Sequence, residues 1–138
     1  MIKTCSCGSR QTFDACCKPH LDGTRRADTP EQLVRSRYTA YALGGYGDFL
    51  LRTWFPVTAK GLTAAELSIA TQHWTGLEIR GSGVDGHAGW VEFRATYGSA
   101  AGVSSSMHEK SVFSRVAGSW LYIGGEVLKS RDARDRAG

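Results

Sequence analysis

The cysteines hold the most concentrated chemistry in this sequence. Cys5 and Cys7 are separated by one residue, Cys16 and Cys17 are adjacent, and eight residues lie between the two pairs. A disulfide inside either pair would be strained or rare. The N-terminus is polar and Cys-rich, with no apolar leader, so a cytosolic, reducing setting is expected and cross-pair disulfides are disfavoured. Metal ligation is the better reading. A Cys-x-Cys turn can present two sulfurs, the intervening segment reverses the chain, and the second pair completes a tetrahedron at ~2.3 Å per Zn–S bond. The expectation is one structural Zn²⁺ on Cys5, Cys7, Cys16 and Cys17. Such a shell leaves no open position for Lewis-acid catalysis. His20 is the alternative ligand. Gly8-Ser9 supplies the conformational freedom of the turn, and Phe13 is expected to pack over the knuckle. Lys3, Arg10 and Lys18 are expected to offset its excess negative charge. Without metal, so short a segment has too little core to fold.

The elements that must hold this knuckle follow from the rest of the 138 residues. Hydrophobic residues make up 41% and charged residues 22%, an ordinary globular balance. No apolar run reaches membrane-spanning length. The formal charge of +4 falls to about +2 once four thiolates and Zn²⁺ are counted, too weak a balance to imply DNA binding. The organisation reads as a knuckle over 1–21, a polar linker over 22–28 without apolar anchor, a main domain over 29–128 and a charged, disordered tail over 129–138. Thr29, Pro30 and Gln32 form a capping box that starts a helix running to Leu43, where Gly44-Gly45 stops it. A short helix is expected from Asp48 to Trp54, and another from Thr63, with Glu66 in capping register.

From Trp74 onward the period becomes two. Strands are expected over Trp74 to Arg80, Trp90 to Tyr97, Ser105 to Val116 and from Trp120 through Ile123. Gly81-Ser82-Gly83 and Asp85-Gly86 read as turns, and Ala117-Gly118-Ser119 as a hairpin. In the second strand Val91, Phe93, Ala95 and Tyr97 share one face. Helices followed by consecutive short-looped strands imply an α+β fold, with helices packed on a curved antiparallel sheet.

Two resemblances add to this. Cys5-Ser6-Cys7-Gly8-Ser9, Phe13 and Cys16-Cys17 resemble the SEC-C motif known from the SecA translocation ATPase, with Arg10 where a second glycine is usual. The knuckle is followed in order by Leu33-Val34-Arg35-Ser36-Arg37-Tyr38, Thr53-Trp54-Phe55-Pro56, Trp74-Thr75-Gly76-Leu77 and Trp120-Leu121-Tyr122-Ile123-Gly124-Gly125. Together these look like the bacterial YchJ family of uncharacterised proteins. That resemblance implies a nuclear transport factor 2-like cone and a zinc ion, and no established reaction. Some family members carry a second, C-terminal SEC-C motif, for which this chain has no cysteines.

Cones of this type often hold a pocket between helix and concave sheet. On the first helix Leu33, Val34, Arg37, Tyr38 and Tyr41 share an arc, with Arg35 opposite. Glu109 shares a strand face with Met107 and Phe113. Arg37, Tyr38, Trp54 and Glu109 are therefore the candidate pocket residues, with Arg37 and Glu109 expected to meet as a charge pair. His108 points away from Glu109 and reads as a sheet-packing or surface histidine. His73 and His87 show no partner. Trp54, Trp74, Trp90 and Trp120 read as core or pocket lining ahead of a base-stacking platform. Arg25, Arg26 and Arg35 read as mostly solvated.

No nucleophile elbow, phosphate loop or dinucleotide fingerprint is present, so the balance leans away from an enzyme. The leading expectation is a binding or adaptor module whose knuckle docks a protein partner or the ribosome. The alternative is a small-molecule binder or enzyme using the cone pocket. Nucleic-acid binding through the knuckle and basic tail is the weaker third.

Overall fold

The computed structural model describes residues 4–70, 72–98 and 102–128. The charged tail expected over 129–138 lies outside them. Four helices precede four strands: α1 Lys18–Asp22, α2 Pro30–Leu43, α3 Gly47–Arg52, α4 Ala64–Leu67, β1 His73–Asp85, β2 Ala88–Gly98, β3 Ser104–Val116 and β4 Ser119–Val127. The strands form one antiparallel meander in the order β1-β2-β3-β4. The α+β cone is therefore present. No helix among the described residues is long and apolar enough to cross a membrane.

Local signals set the helix starts. The Thr29 hydroxyl accepts the Gln32 amide at 3.2 Å, and the Gln32 side chain accepts the Asp28 amide at 2.8 Å. Pro30 occupies the first turn, where its missing N–H costs nothing. Thr63 caps α4 in the same way, accepting the Glu66 amide at 3.1 Å. The β3–β4 turn has Ala117 at φ 52° and Gly118 at φ 84°, the two left-handed residues that match hairpin twist.

One expectation needs correction. Gly81-Ser82-Gly83 is not a turn, because β1 continues through it and pairs Gly83 with Trp90. The Trp90 indole lies across Gly81 and Gly83, and a side chain at Gly83 would collide with it. These glycines are clearance for a cross-strand ring on the outer face of the sheet, so Trp90 belongs to neither core nor pocket. The segment after Cys17 forms α1, closed by Gly23 at φ 83°, and buries His20 and Leu21. Arg52 of α3 ties down that end by donating to the His20 carbonyl at 3.2 Å.

The core runs without a break from Cys5, Cys7 and Cys17 through Leu21, Leu33 and Leu50 to Val91, Phe93 and Phe113 on the sheet. Helix α2 is the shared partner. One of its faces packs on the sheet; on the other, Ser36, Thr39 and Ala40 are each 0% exposed, and Thr39 meets the N-terminal cysteine segment, the leader, residues 4–17.

Candidate metal centre and cone cavity

Thr4 and Thr12 pair across the reversal between the two cysteine pairs, and the Cys5 amide donates to the Gln11 carbonyl at 2.7 Å. This places all four cysteine sulfurs within 4.8 Å of one another. Cys7 Sγ lies 3.6 Å from Cys16 Sγ, and Cys16 Sγ lies 3.9 Å from Cys17 Sγ. A tetrahedron with ~2.3 Å metal–sulfur bonds has edges of about 3.8 Å, so the cluster fits a metal ion with little movement. Gly8 sits at φ 83°, as the turn requires. Arg10 is also left-handed, at φ 72°, so the arginine that replaces a usual glycine occupies a position where glycine carries no strain.

The thiols cannot all ionise together without a cation. Hydrogen bonds from Cys17 and Cys5 pull Cys7 far below the usual thiol range. Cys17 is driven far above it by sharing those bonds with Cys5 and Cys7, and burial pushes Cys16 up to about 11. The surroundings are built for anionic sulfur. Thr39 Oγ1 donates to Cys17 Sγ at 3.3 Å and lies 3.7 Å from Cys5 Sγ. Ser9 Oγ is 3.1 Å from Cys16 Sγ. Arg35 donates through Nη1 to the Cys7 carbonyl at 2.7 Å and through Nε to Glu31 at 3.1 Å.

Arg35 therefore corrects the reading of it as a solvated residue. The far side of α2 faces the leader instead of water, and Arg35 is its charged anchor. Lys18, expected to offset the thiolates, pairs instead with Asp22 at 2.8 Å on the surface. His20 is not among the clustered ligands; its Nδ1–H donates to the Arg25 carbonyl at 3.1 Å. Phe13 packs against the core beside the cysteines.

On the other side of α2 lies a cavity of about 320 Å³. Arg37, Tyr38, Trp54 and Glu109 all line it, with Trp74, Phe93, Met107 and Tyr122 among its other walls. Arg37 is 5% exposed. Its Nη1 donates to the Leu50 carbonyl at 2.8 Å and to Thr53 Oγ1 at 2.7 Å, closing the end of α3. Its guanidinium carbon lies 4.8 Å from the Trp54 ring and 4.6 Å from the Tyr122 ring. Burial pulls its pKa down, while Tyr41, Tyr122 and Glu109 act in the opposite sense.

The expected direct pairing of Arg37 with Glu109 is not formed. Glu109 Oε2 accepts from Ser111 at 2.6 Å and from the Tyr122 hydroxyl at 3.4 Å. Tyr122 thus stands between the two charges, one face to Arg37 and its hydroxyl to Glu109. A register shift that leaves Ile123 of β4 unpaired, between Val112 and Phe113 of β3, sets Tyr122 opposite Phe113. Burial pushes the Tyr122 phenol up to about 12, so it remains a donor. On the opposite face of the sheet His108 Nε2 lies 2.6 Å from Glu92, a pair remote from the cavity that sequence reasoning did not find. Its signal was the diagonal register of Glu92 and His108 across β2 and β3.

Comparison with known proteins agrees with this architecture. The family model described as "YchJ, middle NTF2-like domain" matches residues 29–125. A UPF0225 protein of Streptomyces coelicolor is 41% identical over 128 residues, covering 90% of this chain and 95% of its own. A UPF0225 protein of Deinococcus radiodurans is 41% identical over 123 residues, covering 88% of each. The solution structure of a SEC-C motif containing protein from Rhodopseudomonas palustris superposes with a TM-score of 0.82 at 36% identity, covering 91% of this chain and 98% of that one. With the middle-domain model matching residues 29–125 and relatives at 41% identity along most of both chains, the chain belongs to the YchJ (UPF0225) family.

Proposed function

We propose that this protein binds a small molecule in its cone cavity, and that a structural zinc ion on Cys5, Cys7, Cys16 and Cys17 fastens the leader to α2. The carrying observation is the cavity itself. About 320 Å³ of space lies among aromatic walls, with Arg37, Glu109, Ser111 and Tyr122 converging on it. Small-molecule sites have this make-up, an apolar enclosure with a few placed polar groups. A core built for stability alone would fill the space, since empty volume and buried charge both cost free energy. Zinc is favoured for the cluster because four thiolates in tetrahedral reach are its preferred structural shell. Docking of a protein or ribosomal partner on the knuckle is carried by the SEC-C resemblance, whereas the cavity is carried by geometry, so the cavity is put forward.

A fragment screen by thermal shift tests the reading, because a ligand that binds the folded state raises Tm by mass action. Fragments that raise the Tm of the native chain should lose that effect in Met107→Trp, where an indole fills the cavity. Shifts that persist in this variant, or a screen without any shift, would overturn the proposal. Elemental analysis of reduced protein should give one zinc per chain.

A further inference from the structure

The cavity's charge and hydrogen bonding narrow the chemistry of what it takes. Among its lining residues Arg37 is the one cation and Glu109 the one carboxylate. They offset each other through the width of Tyr122, so the cavity is close to neutral as built. An ion entering it would leave an uncompensated charge among mostly apolar walls, which is costly. A neutral ligand carries no such cost.

Glu109 specifies the polar contact. Both of its hydrogen bonds, from Ser111 and from Tyr122, fall on Oε2. Oε1 has no partner among the described residues, and it is not one of the side-chain atoms sealed from solvent. A carboxylate only accepts, so a ligand group that meets Oε1 in place of water is an N–H or O–H donor. The walls specify the body. Trp74 meets Tyr38 edge-to-face at 6.2 Å, and Phe93 and Met107 add apolar surface. A cavity of about 150 Å³ accepts benzene, so this one, about twice that size, holds two fused rings.

Resting on the cavity-binding reading, we infer that the ligand is a neutral, flat, bicyclic aromatic or heteroaromatic molecule bearing one N–H or O–H that donates to Glu109 Oε1. Calorimetric titration of the full-length, metal-loaded chain with four probes tests it: indole, 1-methylindole, indole-3-carboxylate and 3-(aminomethyl)indole. Indole binds most tightly. 1-Methylindole, which keeps the bicyclic body and replaces the donor hydrogen with a methyl group, binds roughly tenfold more weakly or worse, the worth of a hydrogen bond to a charged acceptor. Both charged probes bind more weakly than indole. In Glu109→Leu the preference for indole over 1-methylindole disappears. In Glu109→Gln, which keeps the shape and an acceptor oxygen, part of it survives. If 1-methylindole equals indole, or a charged probe binds best, the ligand class is wrong while the cavity reading stands. If none of the four binds and the fragment screen is also silent, the cavity reading itself fails.

Discussion

Thr39 shows how one side chain can serve two structures. It lies in the middle of α2, 0% exposed, and its hydroxyl donates to Cys17 Sγ at 3.3 Å. Four thiolates around a divalent ion leave an excess of two negative charges, which donors such as Thr39, Ser9 and the Arg35 anchor offset. Thr39→Val keeps the volume and the β-branch and removes only the donor. It should weaken metal affinity about tenfold, the low end for an outer-shell partner. Competition against a chromophoric chelator would measure it, and an unchanged affinity would show that the hydroxyl is merely filling space. Arg37 makes a comparable point on the opposite face of the same helix. Its hydrogen bonds secure α3 while its charge faces the cavity, so truncating it would confound folding with binding.

At the scale of elements, tight joints matter more than propensity. Gly47 opens α3, its amide donating to Ser68 Oγ at 2.8 Å, and a Cβ there would run into the Ala64 carbonyl of α4. Backbone cannot swing aside as a side chain can. Gly47→Ala should therefore destabilise by about 1–3 kcal/mol despite the better helix propensity of alanine. Gly124→Ala, with nothing within 4 Å, should stay within about 0.5 kcal/mol. Urea denaturation of the two variants compares them directly, and equal midpoints would contradict the steric argument. Such joints also mark where sequence reading stops. The capping boxes at Thr29 and Thr63 were legible because a cap and its partner sit three residues apart. The alternation of Val91, Phe93 and Ala95 was legible for the same local reason. Gly81 and Gly83 misled because their purpose, room for Trp90, is set across the sheet. Arg35 misled because its face of α2 becomes interior only once the leader folds onto it. The placement of Arg37 and Glu109 toward one cavity followed from periodicity, but Tyr122 between them depends on a register shift at Ile123 of β4 that no pattern announces.

For the molecule as a whole, the leader and the cone share one core, and this changes what metal removal should do. Cys5, Cys7 and Cys17 are at most 4% exposed and continuous with Leu33 and Leu50, which in turn reach the sheet. A self-contained knuckle would melt alone on chelation and leave the cone intact. Here the metal-free thiols would have to remain packed against Thr39, with protons and weak S–H contacts in place of a bound cation. Loss of the ion should therefore loosen α2 from the leader side and lower the stability of the cone with it. Every tryptophan lies outside the leader, at positions 54, 74, 90 and 120. Tryptophan near-ultraviolet circular dichroism consequently reports on the cone alone. Under reducing conditions, stripping the metal with a strong chelator should lower the Tm read by that signal by more than about 10 °C, in a single transition. An unchanged tryptophan transition, with only the first residues becoming protease-sensitive, would mean that the ion organises the leader and nothing beyond it. The same result would uncouple the metal centre from the cavity, since α2 is the element through which the two are joined.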